Sequence, residues 1–220
     1  MRSIRMVTYI AALVVGLLLS HGWVAPAWSK GAERLLVTFE RLSDWKEKSF
    51  KGHTAYSVEQ DGGRKVLHAV SSSNASGLYH EVAVPVHDLP VVSWSWKVAR
   101  TIAAEDAHRK SGDDFAARVY IVFPGRFFWQ TRALVYVYSD KLPPGTVLSS
   151  PFTSNAAVIS VASGNGQAGS WRHESRNYAD DYRAYFKAEP PDPQAVAVMT
   201  DTDNTGSSAE AWYGDIVFSR

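Results

Sequence analysis

The chain has 220 residues, with 23 Lys and Arg against 22 Asp and Glu, and it contains no cysteine. A near-neutral charge without basic runs lacks the electrostatic footprint of a nucleic-acid binder, so no nucleic-acid partner is expected. No disulfide can form, and the fold must stand on its hydrophobic core.

At the N-terminus, Arg2 and Arg5 precede an uncharged run from Met6 to Leu19, followed by a cleavage motif at Ala25-Pro26-Ala27 or Ala27-Trp28-Ser29. A basic start, an apolar centre and a small-residue cleavage site form the pattern of a secretory signal peptide over residues 1–27. The apolar run falls short of the roughly 20 residues that a spanning helix needs. Left uncleaved, it would be the attachment to a membrane. Cleavage removes two arginines and leaves residues 28–220 as a single domain of near-zero charge. Export without cysteine is compatible with a bacterial periplasm.

Short alternating runs separated by Gly, Pro, Asn, Asp and Ser follow, which is the pattern of an antiparallel all-β domain. Leu35 to Phe39 is the first. Ala55 to Glu59 and Lys65 to Ser71 flank Asp61-Gly62-Gly63, a hairpin turn. Leu78 to Val84 comes next, then Val91 to Val98, where Val92, Trp94, Trp96 and Val98 share one face and Ser93, Ser95 and Lys97 the other. Arg118 to Phe123 and Arg132 to Tyr138 are joined by Pro124-Gly125 and an aromatic loop, Phe127-Phe128-Trp129. Ala156 to Ala162 and Ser170 to Glu174 bracket Gly164-Asn165-Gly166. Asn177 to Phe186 breaks the pattern: Tyr178, Tyr182, Tyr185 and Phe186 fall at helical spacing, Asn177 can cap the start, and Pro190-Pro191 ends continuation. Ala195 to Thr200 and Ala211 to Phe218 finish the domain, with Met199 to Phe218 expected as a closing hairpin. The architecture expected is a β-sandwich, jelly-roll or galactose-binding-like, with one short helix near 177–187.

Three sets of residues could carry chemistry. Asp201, Asp203, Asn204 and Thr205 precede Gly206, an arrangement that suits either a calcium loop or a turn capped by its own side chains. The bidentate Glu that an EF-hand loop requires at its twelfth position is replaced by Trp212. Asp113 and Asp114 precede Arg118, and Asp114 shares its strand parity, so that an acid and an arginine could pair or hold a sugar's hydroxyls. Arg176 and Asp181 repeat the theme of an acid near an arginine. No zinc-binding histidine pattern, nucleophile elbow or phosphate loop occurs, and no cofactor is expected beyond a structural calcium.

Removing residues 1–27 leaves seven tryptophans, at positions 28, 45, 94, 96, 129, 171 and 212. Trp94 and Trp96 read as core because they alternate with polar residues. Trp129, inside an aromatic loop, reads as either a contact surface or a lid on the sandwich end.

Two resemblances rest on these residues. Phe39-Glu40 early and Gly214-Asp215-Ile216 late resemble the paired terminal strands of galactose-binding-like carbohydrate modules, which implies Glu40 and Asp215 as ligands of a structural calcium. Phe50 to Tyr56, Ala75 to Leu78, Trp94 to Lys97, Asp113 to Tyr120, Arg176-Asn177 with Asp181-Tyr182, and Met199 to Thr205 together resemble the domain of unknown function 3047 family of exported bacterial proteins. That family implies export and an all-β domain and supplies no chemistry. The functional expectation is a non-catalytic binding module for a carbohydrate or other polar envelope ligand, lined by Asp113, Asp114, Arg118, Arg176, Asp181, Asp201, Asp203 and Asn204. The alternatives are a polysaccharide hydrolase or lyase using paired Asp residues, and an assembly protein docking through the Phe127–Trp129 loop.

Overall fold

The computed structural model describes residues 33–220. The expected signal peptide and Trp28 lie outside the described residues. Among those described, no helix is long and apolar enough to cross a membrane.

Two seven-stranded sheets face each other. Sheet A contains β1 (Arg34–Val37), β3 (Ala55–Asp61), β4 (Arg64–Ser72), β6 (Val91–Val98), β11 (Arg172–Asn177), β13 (Ser208–Tyr213) and β14 (Ile216–Ser219). Sheet B runs β2 (Lys46–Lys51), β5 (Ala75–Glu81), β12 (Ala195–Met199), β7 (Ala117–Phe123), β8 (Arg132–Ser139), β10 (Thr153–Ser163) and β9 (Val147–Ser150). The expected β-sandwich is present. One pairing departs from the antiparallel rule: β10 lies parallel to β8, because the chain between them passes through β9 on the far side of β10.

Alternation in β6 decides which side faces inward. Val92, Trp94, Trp96 and Val98 are buried, while Ser93, Ser95 and Lys97 stay half-buried on the outer face. Trp94 and Trp96 meet edge to face at 5.4 Å, and across the sandwich they pack on Tyr136 and Tyr138 of β8 at 5.1 and 5.9 Å. Each such large side chain removed from water contributes on the order of 1.5–3 kcal/mol. The expectation that these tryptophans belong to the core is met.

Sheet B differs, because β7, β8 and β12 carry almost unbroken apolar runs. The reason is a second layer of burial. Val119, Ile121 and Phe123 face the inter-sheet core, whereas Tyr120, Val122, Val135 and Val137 face outward under Ala107, Phe115 and Leu142 from the connecting loops. A strand covered on both faces has no polar side to alternate with.

The Asp61-Gly62-Gly63 turn joins β3 to β4 as expected, with Gly62 and Gly63 at φ of 60° and 80°, a region open to glycine at little cost. The expected helix is present as α1 (Tyr178–Phe186), and the Asn177 side chain accepts the Asp180 N–H at 3.1 Å. Tyr178 and Tyr182 are its buried face, packed on Phe123 at 6.2 and 4.5 Å.

The segment expected as a closing hairpin is organised differently. β12 belongs to sheet B and β13 to sheet A, so residues 200–207 carry the chain from one sheet to the other. The run expected as one strand from Ala211 to Phe218 is interrupted at Gly214-Asp215, and β13 and β14 pair in succession with the two ends of β6.

Candidate functional site

Arg118 stands at the start of β7, opposite Met199 of β12. Two residues beyond Met199, Asp201 enters the crossing segment on the outer side of sheet B and meets the guanidinium there. Nε of Arg118 donates to Oδ1 of Asp201 at 2.8 Å and Nη2 to Oδ2 at 2.5 Å, a two-pronged ion pair. Nη2 also donates to the Asp113 carbonyl at 2.5 Å, and Nη1 reaches the Asp113 carboxylate at 3.5 Å. The Phe115 ring covers the guanidinium, with its centroid 4.5 Å from Cζ. Arg118, Asp113, Asp114 and Asp201 are all at least 97% buried.

Asp114 has a different role. Its Oδ1 accepts the Asn204 backbone N–H at 3.2 Å and the Asn204 side-chain amide at 3.1 Å, and its Oδ2 accepts the Thr205 N–H at 2.6 Å. The Asn204 amide also reaches Oδ1 of Asp203 at 3.0 Å. Asp114 therefore caps the turn that precedes Gly206, which accounts for the Asp-x-Asp-Asn-Thr pattern without a ligand. Thr200 and Thr202 secure the rest of the crossing: Oγ1 of Thr200 donates to the Ala116 carbonyl at 2.9 Å, and the Thr202 N–H donates to the Asn74 carbonyl at 2.9 Å.

Six of the eight expected ligand residues thus converge. Asp113, Asp114, Arg118 and Asp201 are buried, and Asp203 and Asn204 are half-buried at the rim. Burial pushes the carboxyls of Asp113 and Asp201 up, with Arg118 opposing in each case. Burial and the Asp114 charge also push Asp203 up, against the pull of Lys51 and Arg118. Carboxylate oxygens of Asp114, Asp201 and Asp203 lie within 4.8 Å of one another, and these three are the residues of the site that could face a hard cation. Ca²⁺ takes six to eight oxygens, whereas Asp201 is already gripped by Arg118 and Asp114 by three N–H groups.

Arg176 and Asp181 are brought together elsewhere. They form their own two-pronged pair at 3.0 and 2.5 Å, and Asp181 also accepts the Tyr136 hydroxyl at 2.8 Å. Tyr136 belongs to the inter-sheet core, on the opposite face of sheet B from Arg118. This pair ties α1 to β8 and β11. Glu40 and Asp215 do sit beside each other's strands, since β1 pairs with β14. Both are exposed, and Glu40 makes an ion pair with Lys65 at 2.8 Å. Lys65 already neutralises Glu40, and among the described residues no third carboxylate or histidine joins the pair.

An open cleft lies off the other end of β7, six residues or about 20 Å from Arg118. It encloses a cavity of about 320 Å³ lined by Gly125, Trp129, Gln130, Arg132, Asn155 and Tyr182, among others, with no Asp or Glu among the described residues. Gly125 permits its shape, because a Cβ there would lie 2.5 Å from the backbone carbon of Gln130. The Asn155 side chain donates to the Trp129 carbonyl at 2.8 Å and anchors the loop to β10. Trp129 is 57% exposed and stacks on Phe127 at 4.7 Å. Arg132 lies over the Phe186 ring at 4.7 Å and donates from Nη1 to the Tyr182 hydroxyl at 3.0 Å. The aromatic loop pointed to this place in the sequence. Gln130, Arg132 and Asn155 carry no sequence signal, and Tyr182 signals only the packing face of the helix, since the four come from three segments that only folding brings together.

A search of curated proteins returned no match. Several solved structures show a similarity that covers most of this chain. A family 30 carbohydrate-binding module of a cellulosomal cellulase from Clostridium thermocellum is 10% identical with a TM-score of 0.43, covering 80% of this chain and 90% of that one. A xyloglucanase domain from Sinorhizobium fredii, solved with cellobiose, is 6% identical with a TM-score of 0.44, covering 81% and 94%. The glycoside hydrolase domain of Endo-D from Streptococcus pneumoniae R6 is 10% identical with a TM-score of 0.40, covering 80% of this chain but only 21% of that one. A family model described as "Protein of unknown function (DUF3047)" matches residues 43–217, and the chain belongs to that family.

Proposed function

We propose that the protein is an exported, non-catalytic binding module, and that it holds a carbohydrate or another polar envelope ligand in the cleft at Trp129. One observation carries this reading. The cleft combines an exposed indole with amide, guanidinium and phenol groups around an accessible cavity. An aromatic surface offers the apolar face of a sugar ring a partner, and the polar groups can fix its hydroxyls. The cavity volume falls at the low end of the roughly 300–1,000 Å³ found for ligand sites.

The hydrolase alternative needs two carboxyl groups flanking a substrate bond. No carboxylate lines the cleft, and the convergent acids at Arg118 are buried and committed to neighbours. That arrangement favours binding over turnover. Affinity electrophoresis or a glycan array with the wild-type protein and Trp129→Ala tests the proposal. Binding should be found and then lost in the variant. A Trp129→Ala protein that binds the same glycans unchanged would remove the cleft as the site.

A further inference from the structure

We infer that the cleft takes an acidic sugar, and that Arg132 grips the carboxylate of a uronic acid unit. This rests on the reading of the cleft as a glycan site and adds the charge of its ligand.

The starting point is what Arg132 leaves unused. A guanidinium has five N–H donors in a planar fork. Arg132 directs one of them to the Tyr182 hydroxyl and makes no ion pair among the described residues. Its counterpart in the same sheet, Arg118, meets two carboxylates. Other arginines near the helix are also matched: Arg176 with Asp181, and Arg183 with Asp180 and Glu189. Arg132 is therefore a half-buried cation held beside an open cavity that no acid lines.

The fork is also held in place. Phe186 and Tyr182 of α1 lie beside the guanidinium, with centroids 4.7 and 5.7 Å from Cζ, and the Tyr182 hydroxyl fixes one prong. A guanidinium oriented before its ligand arrives loses less freedom on binding. Arg126, exposed on the aromatic loop over Phe127, adds a second positive charge. The remaining polar groups fit the same ligand. Gln130 accepts the Phe127 N–H through Oε1, leaving its amide hydrogens as donors, and Asn155 gives a hydrogen to Trp129 and keeps its oxygen as an acceptor. A carboxylate on the fork, hydroxyls on the two amides and a ring face against Trp129 together describe a uronate residue.

The test is calorimetric titration of the full exported chain with an oligogalacturonate, with a neutral oligogalactan of equal length, and with a sulfated galactan oligomer. The oligogalacturonate should bind at least about tenfold more tightly than the neutral oligomer, with an advantage that shrinks as salt is raised. Arg132→Lys keeps a cation over the rings and loses the fork, and it should lower oligogalacturonate affinity about tenfold. Arg126→Glu places an acid beside the cleft at a residue outside its lining. It should weaken the acidic ligand and spare the neutral one, which keeps the test open if Arg132 variants fold poorly. Equal binding of acidic and neutral oligomers, still lost in Trp129→Ala, overturns this inference and leaves the cleft as a glycan site. Preference for the sulfated oligomer overturns the carboxylate assignment. No binding of any oligomer by the wild type overturns both readings.

Discussion

Two arginines on adjacent strands of one sheet behave in opposite ways. Arg118, at the start of β7, is 2% exposed and surrounded by Asp201, Asp113 and the Phe115 ring. Arg132, at the start of β8, is half-buried beside an open cavity, has rings on its flank, and meets no acid among the described residues. The first sits among the densest motifs in the chain, and the second among residues that form no motif. The contrast shows what those motifs record. An Asp-Asp-x-x-x-Arg run and an Asp-x-Asp-Asn-Thr run are held together because a chain crossing between two sheets exposes backbone amides and carbonyls that must be satisfied internally.

Removing one partner of the buried pair is expected to give the largest effect. Arg118→Met should lower unfolding free energy by about 3–5 kcal/mol, because Asp201 would then be a buried charge without a counterion. Urea denaturation measures this, and a loss under about 1 kcal/mol would mean that the crossing does not depend on the pair.

Glu105 sharpens the same contrast through pH. It is 1% exposed beside β8, and burial pushes its carboxyl up to about 7 although the Ser139 hydroxyl and the Asp140 N–H favour the ionised form. The folded state thus holds this proton more tightly than the unfolded chain, whose carboxyl titrates near 4.5. The resulting stabilisation is complete below about 4.5 and is lost as pH rises toward 7, a change on the order of 3 kcal/mol. Thermal unfolding across that window should show the decline, and Glu105→Gln should flatten it. A decline of equal size in the variant would assign it to other groups.

Asp114→Asn tests the cap. It replaces an acceptor-only side chain that serves three N–H donors, and a loss of about 1–3 kcal/mol is expected from the amides left short of a partner. Unchanged stability would reopen Asp114 as a ligand residue. The smallest stability effect belongs to Trp129→Ala, expected within about 0.5 kcal/mol of the wild type because the side chain is exposed. A large loss there would make the aromatic loop a lid of the core, the second role that its sequence allowed.

Where local physics decides conformation, the residues announced it. Asn177 and the tyrosine spacing gave α1, Asp61-Gly62-Gly63 gave the β3–β4 turn, and alternation in β6 placed Trp94 and Trp96 inside. Two strands escaped notice for local reasons as well. β2 reads Lys-Glu-Lys-Ser-Phe-Lys, an edge strand whose exposed charges mask any apolar period, and β9 has only four residues. The crossing of 200–207 resembles a hairpin in sequence because turn residues look alike whether the next strand pairs with its predecessor or joins the other sheet. Asp113, Asp114, Arg118, Asp201, Asp203 and Asn204 were legible as a group, but not their burial, which comes from the loop that brings Phe115 over Arg118. The cleft was legible only through Trp129. Asn155 lies 26 residues further along the chain and reaches it because β10 returns parallel to β8.

The most direct measurement compares glycan binding by Trp129→Ala and Asp203→Asn against the wild-type protein. Asp203 is the half-buried acid of the crossing, and its substitution leaves the Arg118–Asp201 pair intact. The expected result is affinity lost in Trp129→Ala and retained in Asp203→Asn. Binding lost in Asp203→Asn and retained in Trp129→Ala would return the ligand to the acidic crossing and contradict the assignment of the cleft.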